Sequence, residues 1–421
     1  MRWGGVVRRW AGDPLLVLVT LALSCFGIVM IYSAGVLNTP SSVTTGIWMR
    51  QAVWLGIALI LFSATWKLDR RWLEWSAYPL YAVALALLAS TLIVGTGAGT
   101  AEGVGRWIAI GSFRFQPAEL GKLAVVLALA RYLSSQKGPI RRLNELVIPG
   151  VIVGLPLGLV VLQPDLGTAL AFIGILFFGL YWAGASVLHL ALLASPAASL
   201  ILSFHPVGWL AFWVGLVLLL WVDRKQLAMY EVSVVVLTNL AMGVIASPAW
   251  NSLATYQQNR LLVFLDPSID PRGAGWNLIQ SKVAIGSGGV MGSGLTQGTQ
   301  KGLNFLPEQH TDFIFSVVGE ELGFLGVAFG ILLFWGLIHR LILLARRESD
   351  PFVGSVLVGI AGIWIVHVFV NIGMTVGVSP ITGIPLPFLS YGGTFLVTCW
   401  ILTAVAARVS SNTQRLQSDL T

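Results

Sequence analysis

Apolar residues in this chain are grouped in runs of about twenty, separated by shorter polar segments. A helix of that length spans the hydrocarbon core of a bilayer, whereas strands of a membrane barrel alternate apolar and polar residues about ten at a time. The pattern therefore predicts an all-α polytopic membrane protein with about twelve transmembrane helices. The predicted spans are 14–34, 47–66, 73–95, 117–134, 145–162, 166–183, 186–203, 206–222, 229–248, 314–338, 354–374 and 388–407.

The composition excludes a soluble enzyme, a disordered chain and a disulfide scaffold. Of the 421 residues, 56% are hydrophobic and 10% are charged, whereas a soluble protein carries about a quarter charged residues. Cys25 and Cys399 both lie in apolar runs, so a disulfide framework is not predicted. The first run is long and lacks a small-residue cleavage site, so we interpret it as a span and not as a signal peptide.

Basic residues are concentrated in alternate connecting segments. If every predicted run crosses the membrane, all of these segments lie on one side. They are 1–13, 67–72, 135–144, 223–228, 339–353 and 408–421. The positive-inside rule assigns that side to the cytoplasm, which places both termini there. The net charge of +7 is therefore mainly a topology signal and does not indicate a nucleic-acid partner.

Two connecting segments on the opposite side are long, 96–116 and 249–313. A loop as long as the second is either functional or disordered, and its many apolar and aromatic residues argue against disorder. We expect 249–313 to fold down onto the helices, with amphipathic pieces lying in the membrane interface. The whole chain, 1–421, is interpreted as one membrane domain.

Paired carboxylates are the first candidate for chemistry. Asp266 and Asp270 stand four residues apart in the long loop, and each is followed by a proline that disfavours helical backbone at the aspartate. A carboxylate fixed in this way can act as a general base or bind a divalent cation such as Mg²⁺ or Mn²⁺. The alternative is that both aspartates only shape turns, because Asp-Pro is a common turn opening.

A glycine-rich stretch, 286–302, follows in the same loop, accompanied by Lys282 and Lys301. It does not follow a strand, so it is not a nucleotide-binding fingerprint. Glycines let backbone N–H groups approach an anion such as a diphosphate, and they equally suit a tightly packed re-entrant loop. The residues alone leave both interpretations open.

Charged residues inside predicted spans are costly and therefore indicate function by default. Glu119 and Lys122 are spaced to pair on one face of the fourth helix, either in a substrate cavity or as a structural ion pair. Glu320 and Glu321 lie near the same membrane side in the tenth helix. Just before that helix, Thr311 or Asp312 is expected to cap its N-terminus, and the alternative is a metal site or a His–Asp pair formed by Glu308, His310 and Asp312.

Five motifs occur in an order that is typical of one family. They are GRWIAIGSFRFQPAELGKL at 105–123, QPDLGTA at 163–169, FLDPSIDPRGAGWNLIQSKVAIGSGG at 264–289, LPEQHTDFIFSVVGEELG at 306–323 and GIPLPFLSYGG at 383–393. Together they resemble the SEDS (RodA/FtsW/SpoVE) family of shape, elongation, division and sporulation proteins. Within the family, the L-D-P-x-x-D-P spelling at 265–271 is similar to the elongation type.

The resemblance implies a peptidoglycan glycosyltransferase that polymerises lipid II at the outer face of the bacterial cytoplasmic membrane during elongation. It maps the family's catalytic aspartate onto Asp270 and the family's buried acidic and basic pair onto Glu119 and Lys122. It also implies a partner, a class B penicillin-binding protein (a transpeptidase) docked through its transmembrane helix, within the elongation machinery. We interpret the remaining candidates as residues that support substrate binding or catalysis: Asp266, Arg272, Lys282 and Glu320.

The chain departs from the family pattern between the QPDLGTA helix and the long loop. Family members commonly have one span there, in a core of ten helices, whereas 186–248 offers three. An inserted helical hairpin would preserve the orientation of everything after it. We therefore expect 186–248 to contain a two-helix insertion.

Other functions and a metal requirement stay open at this stage. A flippase for lipid-linked precursors would suit twelve helices and intramembrane charges, although its site should lie near the midplane. A non-catalytic scaffold for a penicillin-binding protein is the third possibility. No cofactor is certain, since two aspartates do not form a dedicated magnesium cage, and Asp266 or Asp270 would be the ligand of any metal.

The predicted topology can be tested by cysteine labelling in a background without Cys25 and Cys399. A cysteine at position 297 should react with a membrane-impermeant reagent in intact cells, because 249–313 is predicted to face outward. A cysteine at position 142 should react only after the cells are lysed. Labelling at 142 together with protection at 297 would overturn the topology.

Overall fold

The computed structural model describes residues 13–38, 44–97, 105–111, 113–136, 138–222, 227–271, 273–303, 305–306 and 308–411. In this part of the chain the protein is a bundle of apolar helices with one short antiparallel hairpin. The helices are α1 (Pro14–Gly35), α2 (Ile47–Trp66), α3 (Arg70–Val94), α4 (Pro117–Ser134), α5 (Val147–Leu162), α6 (Leu166–Trp182), α7 (Val187–Leu202), α8 (Pro206–Val222), α9 (Met229–Ser252), α10 (Thr255–Leu265), α11 (Ala274–Ser287), α12 (Thr299–Gly302), α13 (Ile314–Arg347), α14 (Pro351–Val376) and α15 (Gly393–Val409). The strands are β1 (Ile108–Ile110) and β2 (Phe113–Phe115), and 3-10 turns cover Leu143–Leu146 and Pro267–Ile269.

Each predicted span coincides with one helix, in the series α1–α9 and α13–α15. By length and composition, 7 of the helices in the described chain can cross a membrane, and α6, α7, α8 and α15 are shorter apolar helices. The helix α4 has the length of a span and carries the ionisable residues Glu119, Lys122 and Arg131. The prediction of an all-α, multi-pass membrane protein is thus confirmed. The side on which the termini lie stays a prediction.

Two predicted boundaries are wrong by several residues, and one of them is the end of the tenth span, which was expected at 338 although α13 continues to Arg347. The last span was expected to begin at 388, but α15 begins at Gly393. The backbone of Phe388 has a φ of 66°, a left-handed conformation that a helix cannot continue through. The apolar residues before Gly393 are therefore part of a buried turn and not of the helix.

Two helices form the centre of the bundle. In an apolar 18-residue stretch of α14, 78% of the residues are buried, whereas only 17% are buried in the corresponding stretch of the peripheral helix α9. Most side chains of α4 are also buried, and α14 packs against α4, α6 and α13. The peripheral helices expose large apolar side chains such as Ile60 and Trp335, as lipid-facing helices do. Charged groups on α4 therefore lie in the most enclosed part of the molecule.

Ion pairs join helices at the end of the bundle where the basic segments are predicted, which we call the basic end. Asp13 caps α1 by accepting from the N–H of Leu16 at 2.9 Å, and it pairs with Arg340 at the end of α13. Arg70 pairs with Asp350. The described parts of the loops 96–116 and 249–313 lie at the opposite end, which we call the loop end.

The region 186–248 forms a three-helix unit of α7, α8 and α9. Leu192, Leu216 and Val235 belong to a small apolar cluster separate from the main core. A polar network crosses this unit. The side-chain amide of Asn239 donates to the Ser195 hydroxyl at 2.8 Å, and the backbone carbonyl of Asn239 accepts from the Ser199 hydroxyl at 2.8 Å. The hairpin insertion stays a prediction.

The network around Asn239 should stabilise the three-helix unit. Asn239→Leu removes the interhelical hydrogen bond to Ser195, which in a membrane contributes about 0.6 to 1.7 kcal/mol. We expect a lower thermal unfolding midpoint in detergent for this variant than for the parent. Thr238→Val is the matched control, because the exposed Thr238 hydroxyl bonds only within its own helix. Equal midpoints for the two variants would contradict this role.

Candidate functional site

Glu119 and Lys122 form a buried ion pair near the first turn of α4. Their Oε1 and Nζ atoms are 2.8 Å apart, and the side chains are 5% and 1% exposed. Lys122 Nζ also lies 3.1 Å from His367 Nε2 on α14 and 5.4 Å from the centre of the Phe395 ring. The other Glu119 oxygen, Oε2, is buried and has no hydrogen-bond partner among the described residues. The pairing predicted from the spacing is therefore present, with His367 as a third member.

The segment between α14 and α15 covers this pair and joins it to the end of the long loop. Pro385 contributes its carbonyl oxygen, 3.0 Å from His367 Nδ1. Asn371 donates to the carbonyls of Ile384, at 2.8 Å, and Asp312, at 2.9 Å. One amide side chain thus ties the GIPLPFLSYGG motif to the LPEQHTDF motif.

Arg106 and Asp165 connect two further motifs at the loop end. Their side chains are 3.5 Å apart, and Gln116 donates to the other Asp165 oxygen at 3.1 Å. Asp165 also caps α6 through the N–H of Thr168 at 3.2 Å. The β1–β2 hairpin leads from Arg106 into Gln116 at the start of α4. The motifs that carry Glu119 and Asp165 are therefore fixed to each other by side chains.

The two predicted aspartates have different surroundings. Asp266 accepts from the N–H and the hydroxyl of Ser268, at 2.9 and 2.6 Å, and so caps the 3-10 turn Pro267–Ile269. These hydrogen bonds lower the pKa of the exposed Asp266 carboxyl. For Asp266, the geometry fits the turn-shaping interpretation.

Asp270 sits in the turn that leads into α11. Its Oδ1 accepts from the N–H of Gly273 at 2.9 Å. A Cβ atom at Gly273 would lie 2.2 Å from Asp270 Oδ2, and one at Gly275 would lie 2.6 Å from the Asp270 carbonyl oxygen. The two glycines of D-P-R-G-A-G therefore let the backbone close around this carboxylate and fix its position.

The supporting candidates are dispersed. Arg272 lies outside the described residues. Lys282 is exposed and covers the C-terminal end of α14, where a Cβ at Gly377 would be 2.5 Å from its Nζ. Glu320 accepts from the N–H groups of Gln300, at 2.7 Å, and Lys301, at 3.2 Å. In the described chain, neither Lys282 nor Glu320 forms a hydrogen bond or ion pair with Asp270.

The glycine-rich stretch packs as a re-entrant loop. The N–H groups of Ser293 and Gly294 donate to the carbonyls of Glu320 and Glu321 in α13, both at 3.0 Å. The ammonium of Lys301 is buried against Glu321. These two N–H groups and this ammonium are thus already bonded to α13, which favours the packed-loop interpretation over an anion site.

The expectation for Asp312 is wrong. The helix α13 begins at Ile314, and its N-cap, Phe313, makes no side-chain capping bond. The Asp312 carboxyl is directed toward Gly383, where a Cβ would lie 3.2 Å from Oδ2. Burial, then the charge of Glu308, raises the pKa of Asp312 to about 6, while Arg260 opposes the rise. Asp312 is therefore part of a polar cluster and not a cap.

A metal site has little support in the geometry. Among the described residues, no group of three His, Cys, Asp or Glu side chains comes close enough to hold an ion. Asp266 and Asp270 bind backbone N–H groups of their own turns. These donor sets do not fit a dedicated cation site.

Sequence reasoning missed several polar residues that the fold brings together. Arg106 and Asp165 lie inside motifs that were recognised as a whole, but no role was given to them. His367 and Asn371 are four residues apart on α14, so they share one face of an otherwise apolar helix, which is a usable signal. Lys301 was considered only as a group accompanying the glycines. Its partner Glu321 is distant in sequence, and this long-range pairing could not be read from the chain.

Comparison with known proteins gives a consistent assignment. The sequence model of the FtsW/RodA/SpoVE family, described as cell cycle proteins, matches residues 13–221 and 207–415. The peptidoglycan glycosyltransferase RodA of Treponema pallidum is 34% identical, over 95% of this chain and 97% of the relative. The peptidoglycan glycosyltransferase MrdB of Escherichia coli K12 is 35% identical, over 91% and 90%.

Solved structures agree with the sequence relatives. A chain from a peptidoglycan synthase complex that coordinates polymerization and crosslinking has a TM-score of 0.70 and 32% identity, covering 96% of this chain and 98% of that chain. The crystal structure of the rod shape determining protein RodA of Thermus thermophilus has a TM-score of 0.61 and 28% identity, covering 95% and 97%.

The fold and the polar site define a multi-pass membrane protein with a buried ion pair at the loop end. The sequence relatives make the class more specific, since they are peptidoglycan glycosyltransferases. The chain belongs to the SEDS family, the family of RodA, FtsW and SpoVE, and it is RodA-like.

The raised pKa of Asp312 predicts a pH-dependent stability. Because the folded pKa of about 6 exceeds the ordinary value, the protonated form stabilises the fold. This contribution is complete below about pH 4 and is lost as the pH rises through about 6. Asp312→Asn removes the titration, so thermal unfolding from pH 4 to 7 should show the variant gaining stability relative to the parent. A constant difference across this range would contradict the shift.

Proposed function

We propose that Asp270 is the general base with which this chain polymerises lipid II at the outer face of the cytoplasmic membrane. The chain is a peptidoglycan glycosyltransferase of the elongation type, like relatives that match it over more than nine-tenths of their length. The single observation that supports the catalytic assignment is the turn around Asp270, in which Gly273 and Gly275 let the backbone pack closely against this residue.

The proposed reaction is a displacement at the anomeric carbon of the donor's MurNAc. The 4-hydroxyl of the acceptor's GlcNAc attacks that carbon, and the bond to the undecaprenyl diphosphate breaks. Asp270 accepts the hydroxyl proton as the new glycosidic bond forms. General-base assistance of this kind typically contributes about 10²–10⁴-fold to the rate.

The surroundings of Asp270 suit this role. The N–H of Gly273 orients the carboxylate without burying it in an apolar site. Asp266 shapes the preceding turn, which fixes the backbone from which Asp270 projects.

Charge on the departing diphosphate requires cationic groups or N–H donors. Lys122 is the first candidate, because it is the cation enclosed beneath the 379–393 segment. Its ammonium is held by Glu119 and His367, so it is already oriented before substrate binds. Arg272 and Lys282 are the further candidates. No hydrogen bond or ion pair joins Lys122 to Asp270 among the described residues, so the substrate would have to span the two groups.

A class B penicillin-binding protein is the proposed partner in the elongation machinery. A chain 32% identical to this one belongs to a synthase complex that couples polymerization with crosslinking. The polymerising chain would supply glycan strands, and the partner would cross-link them. Docking through the partner's single transmembrane helix suits the apolar outer faces of the peripheral helices.

The observations favour an enzyme over a flippase. A transporter places its site near the midplane, between two repeated halves with matching broken helices. Here the polar groups gather toward the loop end, on α4, on α14 and in the segments 308–312 and 379–393. That arrangement suits a reaction at one membrane face.

The catalytic assignment predicts a specific loss of activity. Asp270→Asn keeps the size of the side chain and an oxygen that can accept from Gly273, but it removes the base. We expect polymerisation of purified lipid II by the full chain with its partner to fall by about 10²–10⁴-fold. Asp266→Asn is the matched comparison in the same turn, and it should cause a smaller loss because Asp266 caps the 3-10 turn.

Partner binding and the thermal midpoint serve as controls, and both should remain at parental values in Asp270→Asn. Glycan synthesis at the parental rate by this folded, partner-bound variant would exclude Asp270 as the base. A larger loss in Asp266→Asn than in Asp270→Asn would exchange the roles of the two carboxylates.

A further inference from the structure

The helix α13 is broken close to the loop end. Gly323 has a φ of 60° and a ψ of −157°, which no helix contains. The break diverts backbone groups from helical hydrogen bonds, and such groups are costly in a membrane unless they are paired elsewhere. The glycine-rich segment supplies the partners. Ser293 and Gly294 donate to carbonyls of α13 at 3.0 Å, and the N–H of Phe324 donates to the Gly289 carbonyl at 2.9 Å.

Close approach of the two backbones explains the glycines of this segment. A Cβ at Gly292 would lie 2.1 Å from the carbonyl oxygen of Glu321. A Cβ at Gly288 would lie 1.9 Å from the carbonyl oxygen of Gly319. The segment thus fills the break as a second backbone, with no room for side chains between the two.

A buried ion pair fastens the far end of the segment. Lys301 Nζ lies 2.7 Å from Glu321 Oε1, and the two side chains are 1% and 0% exposed. The ammonium also donates to the Ser33 carbonyl on α1 at 3.0 Å. The Ser33 hydroxyl donates to Glu321 and accepts from the N–H of Thr296 at 3.0 Å. One cluster therefore joins α1, the glycine-rich segment and α13.

One helix, α11, connects the glycine-rich segment to the Asp270 turn. The helix α11 begins after the Asp270 turn and ends at Ser287, within the glycine-rich stretch 286–302. The Ser281 hydroxyl, halfway along α11, donates to the Thr375 carbonyl on α14 at 2.6 Å. The position of α11 is therefore set at its middle by α14 and at its end by the segment in the break.

We infer that Lys301, Glu321 and Ser33 are positioning residues, which hold the glycine-rich segment in the α13 break and thereby fix α11 and Asp270. This inference rests on the proposed role of Asp270. Lys301 and Glu321 are buried and engaged with each other, so they act through the backbone that they fasten and do not touch substrate.

The test combines hydrogen–deuterium exchange with steady-state kinetics on the purified full chain in nanodiscs, with its partner at a fixed amount. Glu321→Gln leaves the Lys301 ammonium without its counter-charge, which is costly in a buried site. Exchange of the amides in 289–302 should accelerate by about tenfold or more. The kcat for lipid II should fall by up to about 10²-fold, as expected for a misplaced catalytic group, with KM nearly unchanged.

Two other variants keep the inference open to refutation. Ser33→Ala removes the acceptor of the Thr296 N–H without leaving a buried charge, so it should fold and should change exchange and kcat in the same direction, by less. Glu231→Gln is the matched control, because Glu231 is also a buried helical carboxylate but binds the Leu143 N–H at the basic end. It should leave exchange in 289–302 unchanged.

The outcomes separate this inference from the catalytic proposal. Unchanged exchange in both Glu321→Gln and Ser33→Ala would show that the cluster does not fasten the segment. Faster exchange with the parental kcat would show that the fastening does not position Asp270. Either result overturns the inference and leaves the Asp270 proposal intact. Parental activity of Asp270→Asn would instead refute that proposal, whatever the exchange shows.

Discussion

Lys122 is a cation enclosed in the centre of an apolar helical bundle, and its contacts show the constraint on which the loop end depends. A charge in such surroundings must be paired. Here Glu119 supplies the counter-charge, His367 supplies a ring nitrogen, and the Pro385 carbonyl orients that ring. Satisfying one ammonium thus draws α4, α14 and the segment before α15 together, and this assembly forms the floor of the proposed site.

The same requirement governs the backbone around α13. The helix could cross the membrane unbroken at little cost, yet Gly323 interrupts it and a glycine-rich segment takes over its hydrogen bonds. Buried pairing at Lys301 and Glu321 then holds that segment against α1. The C-terminal part of the long loop is therefore packed into the bundle. The Asp270 turn, in the middle of the loop, is partly exposed. Such exposure suits a base that must meet a large substrate.

The sequence predicted the features that depend on local pattern. Apolar runs located α1–α9 and α13–α15, and the i, i+3 spacing of Glu119 and Lys122 predicted their contact. Prediction from the sequence failed where contacts between distant parts of the chain determine the structure. Asp312 has the sequence context of a helix cap, but the helix starts later and its carboxyl turns toward Gly383. The glycine-rich segment had two equal interpretations, because its partner carbonyls in Glu320 and Glu321 follow only from the break in α13.

The break in α13 has a consequence for membrane insertion. Its partners, the helix α1 and the glycine-rich segment 286–302, precede α13 in the chain and are therefore synthesised before it. When α13 enters the bilayer, the backbone groups that bond to its broken turn have already been synthesised. The unpaired N–H and C=O groups at the break, which are costly in a membrane, can therefore be paired at once. A circular permutation that moved α1 behind α13 would remove Ser33 from this early set and expose the break during biogenesis.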